Sequence, residues 1–368
     1  MIYLDHAATS PPLQCAKVAF NAASTAAWGN PNSLHSFGQS ARNALEASRE
    51  AVAQCLKCDS DQVFFVSSAT EACRIAITRM KEACKKIYVT KIEHAAVTSI
   101  TDRKVYSDRR DGNRGFVHIH TNNETGEIYD LRSAFSGYDL TFSDCTAAMG
   151  KQEISFRESG IDFICGGGHK FGAPIGIGVL IARNPEAITT NFHFGTPSAP
   201  LAAAFAEALV FRTDHIDEFK NAAATLHDRL IDGIMNEIPD VQLNGLLYKG
   251  NEVMQSPYIA NVSFPNIENH ALVLRLAADG LMVSSGAACS SGDNAPSRVL
   301  LASGYSEEHA RSAIRFSFDY KLDQNANDMG YNCGLNLERD IKIVDDAVKI
   351  VAQNVRELKK LFPKRDKT

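Results

Sequence analysis

Gly166-Gly167-Gly168-His169-Lys170 is the segment whose residue types point most directly to chemistry. The lysine follows an apolar run at 161–165 and precedes a second glycine-rich stretch at 171–178. Glycine lets a backbone turn sharply and come close to a ligand. An amine held between two such turns is poorly solvated, which lowers its pKa and makes it a nucleophile toward carbonyl carbon. That is Schiff-base lysine chemistry. The competing reading is an ordinary loop lysine in water, and the neighbouring motifs decide between the two.

Asp144 ends the run 139–143. A carboxylate at the carboxyl end of a strand in an open α/β sheet lies where ligands bind. It could pair with a pyridinium nitrogen, or it could simply cap a helix. With Lys170 one strand further on, the spacing suits a pyridoxal phosphate site. Ser67-Ser68-Ala69-Thr70-Glu71 follows the strand-like run 63–66 and opens a helix, a pattern that serves an anion as readily as a plain cap. His169 could touch the same phosphate. His94 follows another strand and could stack on a flat ring or relay protons. Asn123 could hydrogen-bond a cofactor oxygen, or form an Asx-turn. Cys289 lies in the small-residue stretch 283–292 and is placed to reach a substrate. Arg315 is a charge inside the apolar strand 313–318 and wants a carboxylate, either the chain's own or a substrate's.

The elements that must position these residues alternate. Short apolar runs at 62–66, 86–90, 104–106, 115–120, 139–143, 161–165 and 177–182 read as strands. Residues 41–57, 71–84, 201–212 and 215–237 read as helices. That alternation predicts an α/β fold with a mostly parallel sheet, buried on both faces. The pattern changes near residue 239. Strands at 258–264, 282–285 and 313–318, with helices at 267–279, 297–302, 306–312 and 337–362, predict a smaller α+β unit. The expected division is a large domain at 13–240 and a small one made of 1–12 and 241–368. Residues 320–334, rich in Asn, Asp and Gly, read as an irregular excursion.

The 368 residues carry a net charge of −5 and no long basic block, so neither a nucleic-acid footprint nor a membrane partner is expected. No apolar run reaches the length of a membrane span, and the N-terminus lacks the charged and apolar regions of a secretory signal. Nine scattered cysteines point to free thiols in a reducing cytoplasm. Cys55-Leu56-Lys57-Cys58 has no second pair to complete a zinc site and reads as two thiols at a helix end.

Taken together the chain resembles the cysteine desulfurases, in the class V aminotransferase group of fold-type I pyridoxal-phosphate enzymes. The matching stretches are Tyr3-Leu-Asp-His-Ala-Ala-Thr9, Gly29-Asn-Pro-Asn-Ser33 with His35 and Gly38, Ala69-Thr-Glu71, Ile92-Glu-His-Ala-Ala-Val97, Asn122-Asn-Glu124, Asp144, His169-Lys170 and residues 284–291. The resemblance implies that Lys170 holds pyridoxal 5'-phosphate and shuttles protons, that Asp144 pairs with the ring nitrogen, and that His94 stacks on the ring. Ala69, Thr70 and His169 would bind the phosphate, joined by Thr196 from the partner subunit of a homodimer. Asn123 would contact cofactor oxygen or substrate. Arg315 would clamp the carboxylate of L-cysteine, with Asn30 in the same pocket. Cys289 would take the sulfur as a persulfide, release alanine, and pass the sulfur to a protein acceptor, as in the long-loop subgroup.

This chain departs from the family pattern at several points. Ala147 replaces a glutamine, Gly167 a serine and Ser68 a glycine. A segment ending at Gly195-Thr196 is shortened and lacks an arginine, and 320–334 looks like an insertion. These changes imply a specialised desulfurase. Two other readings compete: another C–S or C–Se lyase or a class V aminotransferase in which Cys289 is incidental, and a non-catalytic scaffold that binds a sulfur-accepting partner.

Overall fold

Runs such as Val63-Phe-Phe-Val66 and Gly178-Val-Leu-Ile-Ala182 have no polar alternation because both faces of their strands are covered. The computed structural model describes residues 1–101, 113–130, 132, 135–189, 195–245, 254–286, 295–319 and 336–361. The strand expected at 104–106, the segment 320–334 and Cys289 lie outside the described residues. In chain order the strands are β1 Ile2–Tyr3, β2 Val63–Val66, β3 Lys86–Val89, β4 Arg114–Val117, β5 Glu127–Ile128, β6 Leu140–Asp144, β7 Phe163–Gly167, β8 Gly178–Ala182, β9 Gln242–Leu243, β10 Met254–Gln255, β11 Ile259–Ser263, β12 Leu281–Met282 and β13 Ala313–Ser317.

The chain divides into two compact units, one of residues 9–121 and 129–216, the other of 1–8, 122–128 and 217–368. The first holds a six-stranded sheet in the order β2-β8-β7-β6-β4-β3. Strands β3, β4, β6 and β7 are mutually parallel. β8 is antiparallel to both β7 and β2, so β2 runs with β7. The carboxyl ends of β2, β3, β4, β6 and β7 therefore share one edge, the α/β arrangement expected from the sequence. Helices α1 Gln14–Ala26, α2 Ser36–Leu56, α3 Ala69–Ala83 and α4 Ala95–Thr98 and the helix Ala199–Asp214 belong to this unit. Its core joins α3 residues Cys73, Ala76, Ile77 and Met80 to Phe142, Cys165 and Leu180 of the sheet.

Helix α1 was not foreseen from the sequence. It follows Pro11-Pro12, has no side-chain cap and fully buries only Ala16, so neither a capping signal nor an apolar stripe announces it. The strand expected at 161–165 begins and ends two residues later, which draws Gly166 and Gly167 into β7. Gly166 is there for packing: a Cβ would lie 2.2 Å from Met149 Sδ. The turning glycines are Gly172 and Gly176, with φ of 102° and 98°.

In the second unit β11 pairs antiparallel with β13 and β9, and β1 pairs parallel with β12. The strand expected at 282–285 shrinks to β12 and a single bridge between Ser284 and Arg315. The helix Leu337–Leu361 buries Val344, Ala347, Val348, Val351, Val355 and Leu358, a continuous helical stripe. Gly233 of the helix Ile216–Glu237 permits its close approach, since a Cβ there would meet Val348 Cγ2 at 2.7 Å.

After β4, burial pushes His118 and His120 down to about 4. Each is neutral in the folded chain and takes a proton on unfolding below its ordinary value near 6.5. The unfolded state then binds more protons, so stability is lost as pH falls from about 6.5 toward 4. Urea unfolding at pH 7.5 and pH 5 is expected to show this loss, and a His118→Gln, His120→Gln double variant to reduce it.

Candidate active site

The carboxyl edge of the six-stranded sheet gathers six of the expected residues. Asp144 ends β6 with 4% of its surface exposed. Its Oδ1 accepts the Thr146 N–H at 2.9 Å and lies 3.5 Å from Cys165 Sγ. Its Oδ2 makes no hydrogen bond among the described residues. Beside it, β7 runs into a single 3-10 turn, Gly168–Lys170, that presents a half-buried Lys170. That turn is braced from the chain's early segment. Ser10 N–H donates to the His169 carbonyl at 2.7 Å, Leu13 N–H to the Gly172 carbonyl at 2.8 Å, and Ser10 Oγ to the Lys170 carbonyl at 3.4 Å. His169 Nδ1 is 3.2 Å from Thr9 Oγ1. Burial, with Lys170 beside it, lowers His169 to about 4, so its ring is neutral at physiological pH.

At the end of β2, Ser68 caps α3 by accepting the Glu71 N–H at 3.2 Å. Glu71 Oε2 in turn accepts the Ser67 N–H and hydroxyl at 2.6 and 2.8 Å. The Ala69 and Thr70 N–H groups, at the helix start where no internal partner exists, make no hydrogen bond among the described residues. They lie at the positive end of a four-turn helix, where an anion is favoured. Gly178 lets β8 pass beneath it, since a Cβ there would lie 2.7 Å from the Ser68 carbonyl carbon. His94 caps α4, its Nδ1 accepting the Ala96 N–H at 3.1 Å. Glu93 was missed by sequence reasoning. It is fully buried and accepts the Ile119 N–H at 2.8 Å, joining the turn after β3 to the segment after β4 and so placing His94. A carboxylate within the largely apolar run Ile92-Glu93-His94-Ala95-Ala96-Val97 was the available signal. A buried carboxylate, an amine and helix-start N–H groups on one sheet edge fit pyridoxal phosphate.

Asn30 and Thr196 belong to the same unit and are exposed. Asn30 Oδ1 accepts the Asn32 N–H at 2.9 Å within its own turn.

The second unit holds Arg315 and Asn123. Arg315 is 3% exposed; it donates to Asp5 Oδ1 at 3.0 Å and to the Asn123 carbonyl at 2.8 Å. Its carboxylate partner is thus the chain's own Asp5, and its buried Nε has no hydrogen-bond partner among the described residues. The Asx-turn at this motif belongs to Asn122, whose Oδ1 accepts the Glu124 and Thr125 N–H groups. Asn123 meets Arg315 through its backbone. Glu124 Oε2 accepts the Ser297 hydroxyl at 2.5 Å, and a Cβ on Gly286 would lie 2.5 Å from the same oxygen. One carboxylate thereby touches both sides of the segment that contains Cys289. No spacing signal in the sequence pairs Glu124 with residues more than 160 positions away.

The class-V aminotransferase family model matches residues 2–105 and 109–328. An IscS-like cysteine desulfurase of Mycobacterium tuberculosis is 31% identical over 87% of this chain and 92% of its own. The cysteine desulfurase IscS of Dictyoglomus turgidum is 30% identical over 93% of this chain and 94% of its own. A solved structure of a NifS-like protein superposes with a TM-score of 0.80 at 23% identity, covering 97% of this chain and all of that one. The chain belongs to the class-V aminotransferase family, and within it to the cysteine desulfurases.

A Gly178→Ala substitution drives a methyl group into the backbone of the Ser68–Ala69 turn. It is expected to cost about 1–3 kcal/mol in chemical denaturation and to weaken phosphate binding at α3 in an isothermal titration.

Proposed function

We propose that the protein is a pyridoxal-phosphate-dependent cysteine desulfurase. It converts L-cysteine and the Cys289 thiol into L-alanine and a Cys289 persulfide. The substrate's C–S bond breaks as an S–S bond forms to Cys289, the proton given up by the thiol is matched by the one the β-carbon takes up to become alanine's methyl group, and the sulfur then passes to a protein acceptor. The observation that carries this reading is the placement of Asp144, Lys170 and the Ala69–Thr70 N–H groups along one sheet edge.

Bound there, pyridoxal phosphate supplies an electron sink for charge developing on the substrate's α-carbon. The chain's own groups do the rest. The Ala69 and Thr70 N–H groups hold the phosphate, with neutral His169 as a hydrogen-bonding neighbour. Asp144 Oδ2 holds a proton on the ring nitrogen, and His94 lies against the ring. Lys170 anchors the cofactor and moves the proton at the substrate's α-carbon. Arg315 takes the substrate carboxylate: its guanidinium is preset by Asp5, and its Nε still has a donor to offer. Asn123 contacts cofactor oxygen or substrate, Asn30 lines the substrate pocket, and Thr196 adds a phosphate contact across a homodimer. Exposed Trp28, Leu34 and Phe37, with the Trp28 and Phe37 rings 5.0 Å apart, support burial of this face in a dimer.

Two substitutions separate the parts. Cys289→Ala is expected to abolish sulfide release from cysteine, by at least about a hundredfold, with the cofactor's visible band unchanged. Lys170→Ala is expected to lose that band. Full desulfurase activity in Cys289→Ala would instead favour a lyase or aminotransferase with an incidental thiol. Multi-angle light scattering is expected to report twice the chain mass, and a fully active monomer contradicts the dimer.

A further inference from the structure

Directly against Asp144 the fold buries two thiols that none of these steps uses. Cys73 lies on α3, and Cys165 pairs with Asp144 across β6 and β7. Neither has any exposed surface. Their sulfurs are 3.7 Å apart, and the Cys165 sulfur is 3.5 Å from Asp144 Oδ1. Burial above all, with the Cys73 contact and the Asp144 charge, holds the Cys165 thiol well above its ordinary range. The three ligand atoms lie within 4.8 Å of one another, as in a metal site. A closed metal site takes a fourth ligand, and the group among the described residues offers three, so the thiol protons point to another use. An ionised carboxylate only accepts hydrogen bonds, so Cys165 is the donor and Cys73 stands behind it.

We propose that Cys165 is a positioning residue for the reaction. Its S–H, backed by Cys73, joins the Thr146 N–H on Asp144 Oδ1 and aims Oδ2, with most of its charge, at the cofactor's ring nitrogen. This rests on Asp144 being that nitrogen's partner. The choice of sulfur matters because a thiol is a weak, long donor. A hydroxyl in its place would close to about 2.7 Å and draw more charge from the carboxylate. No donor at all would leave more charge than the native site has. The pair also ties the phosphate-binding helix to the strand that leads to Lys170, so the two ends of the cofactor are referenced to one contact.

The test uses the full-length protein loaded with pyridoxal phosphate carrying ¹⁵N in the ring, with Cys165→Ser, Cys165→Ala and Asp144→Asn variants. Cys165→Ser is expected to move the ring-nitrogen resonance toward its unprotonated position and to weaken cofactor binding on the order of tenfold. Cys165→Ala is expected to move the resonance the other way. A packing defect moves both in one direction, so shifts of the same sign, or none in either, overturn the proposal. The contact is also read without cofactor. In the apoprotein the S–H infrared band lost in Cys165→Ser is expected to sit below that of a non-bonded thiol and to shift in Asp144→Asn. A band at the non-bonded position overturns the proposal even if Cys165→Ala fails to fold. If Asp144→Asn leaves the ring nitrogen unchanged, the assignment of Asp144 falls and takes the proposal with it. If it changes the nitrogen while the two Cys165 variants move together, only the thiol's role falls.

Discussion

The negative charge of Asp144, held almost out of water at the end of a central strand, is the constraint to which the rest of this edge answers. A buried carboxylate is costly unless it is hydrogen-bonded and matched by positive charge. Parallel pairing of β6 and β7 supplies the first part by setting Asp144 opposite Cys165, and the turn after β6 adds the Thr146 N–H. A protonated ring nitrogen would supply the second. Lys170, one short turn beyond β7, is positioned by the same pairing that positions Asp144.

Close backbone approach is the second device. Gly166 accommodates Met149, Gly168 packs against Ala173 and Phe205, and Gly178 passes under the start of α3. A methyl group at any of these would have to displace its neighbours. Gly167 is different. A Cβ there would meet Ala69, His169 and Thr146 side-chain carbons at 3.4 to 3.6 Å, which is ordinary contact. The absent serine hydroxyl is therefore a chemical difference and not a steric necessity, and a side chain would fit. Ala147 is similar in kind, since the position is only half-buried.

In the other unit the buried charge is Arg315, and its solution is internal: Asp5 from the N-terminal strand region and the carbonyl of Asn123. A guanidinium neutralised this way keeps its planar fork oriented. Glu124 plays the corresponding part for the segment around Cys289 by touching the residues on both sides of it.

The sequence alone determined the α/β alternation, because strands buried on both faces read as unbroken apolar runs and helices as 3.6-residue stripes. It also determined the residue types of the site, because glycines before a lysine, small residues at a helix start and an aspartate after a strand each have few physical uses. Elements without such a signature escaped it: α1 has no cap and little buried surface, and β1, β5, β9 and β10 are only two residues long. The tertiary structure alone decided the partners. The Asx-turn fell to Asn122 and not Asn123, because Asn122 Oδ1 already takes the Glu124 and Thr125 N–H groups. Asp5 took Arg315, Glu93 took the Ile119 N–H, and Glu124 reached Ser297. Each of these pairs joins a charge or polar group to a residue that sequence periodicity does not link to it, and only packing determines which donors a desolvated carboxylate will find.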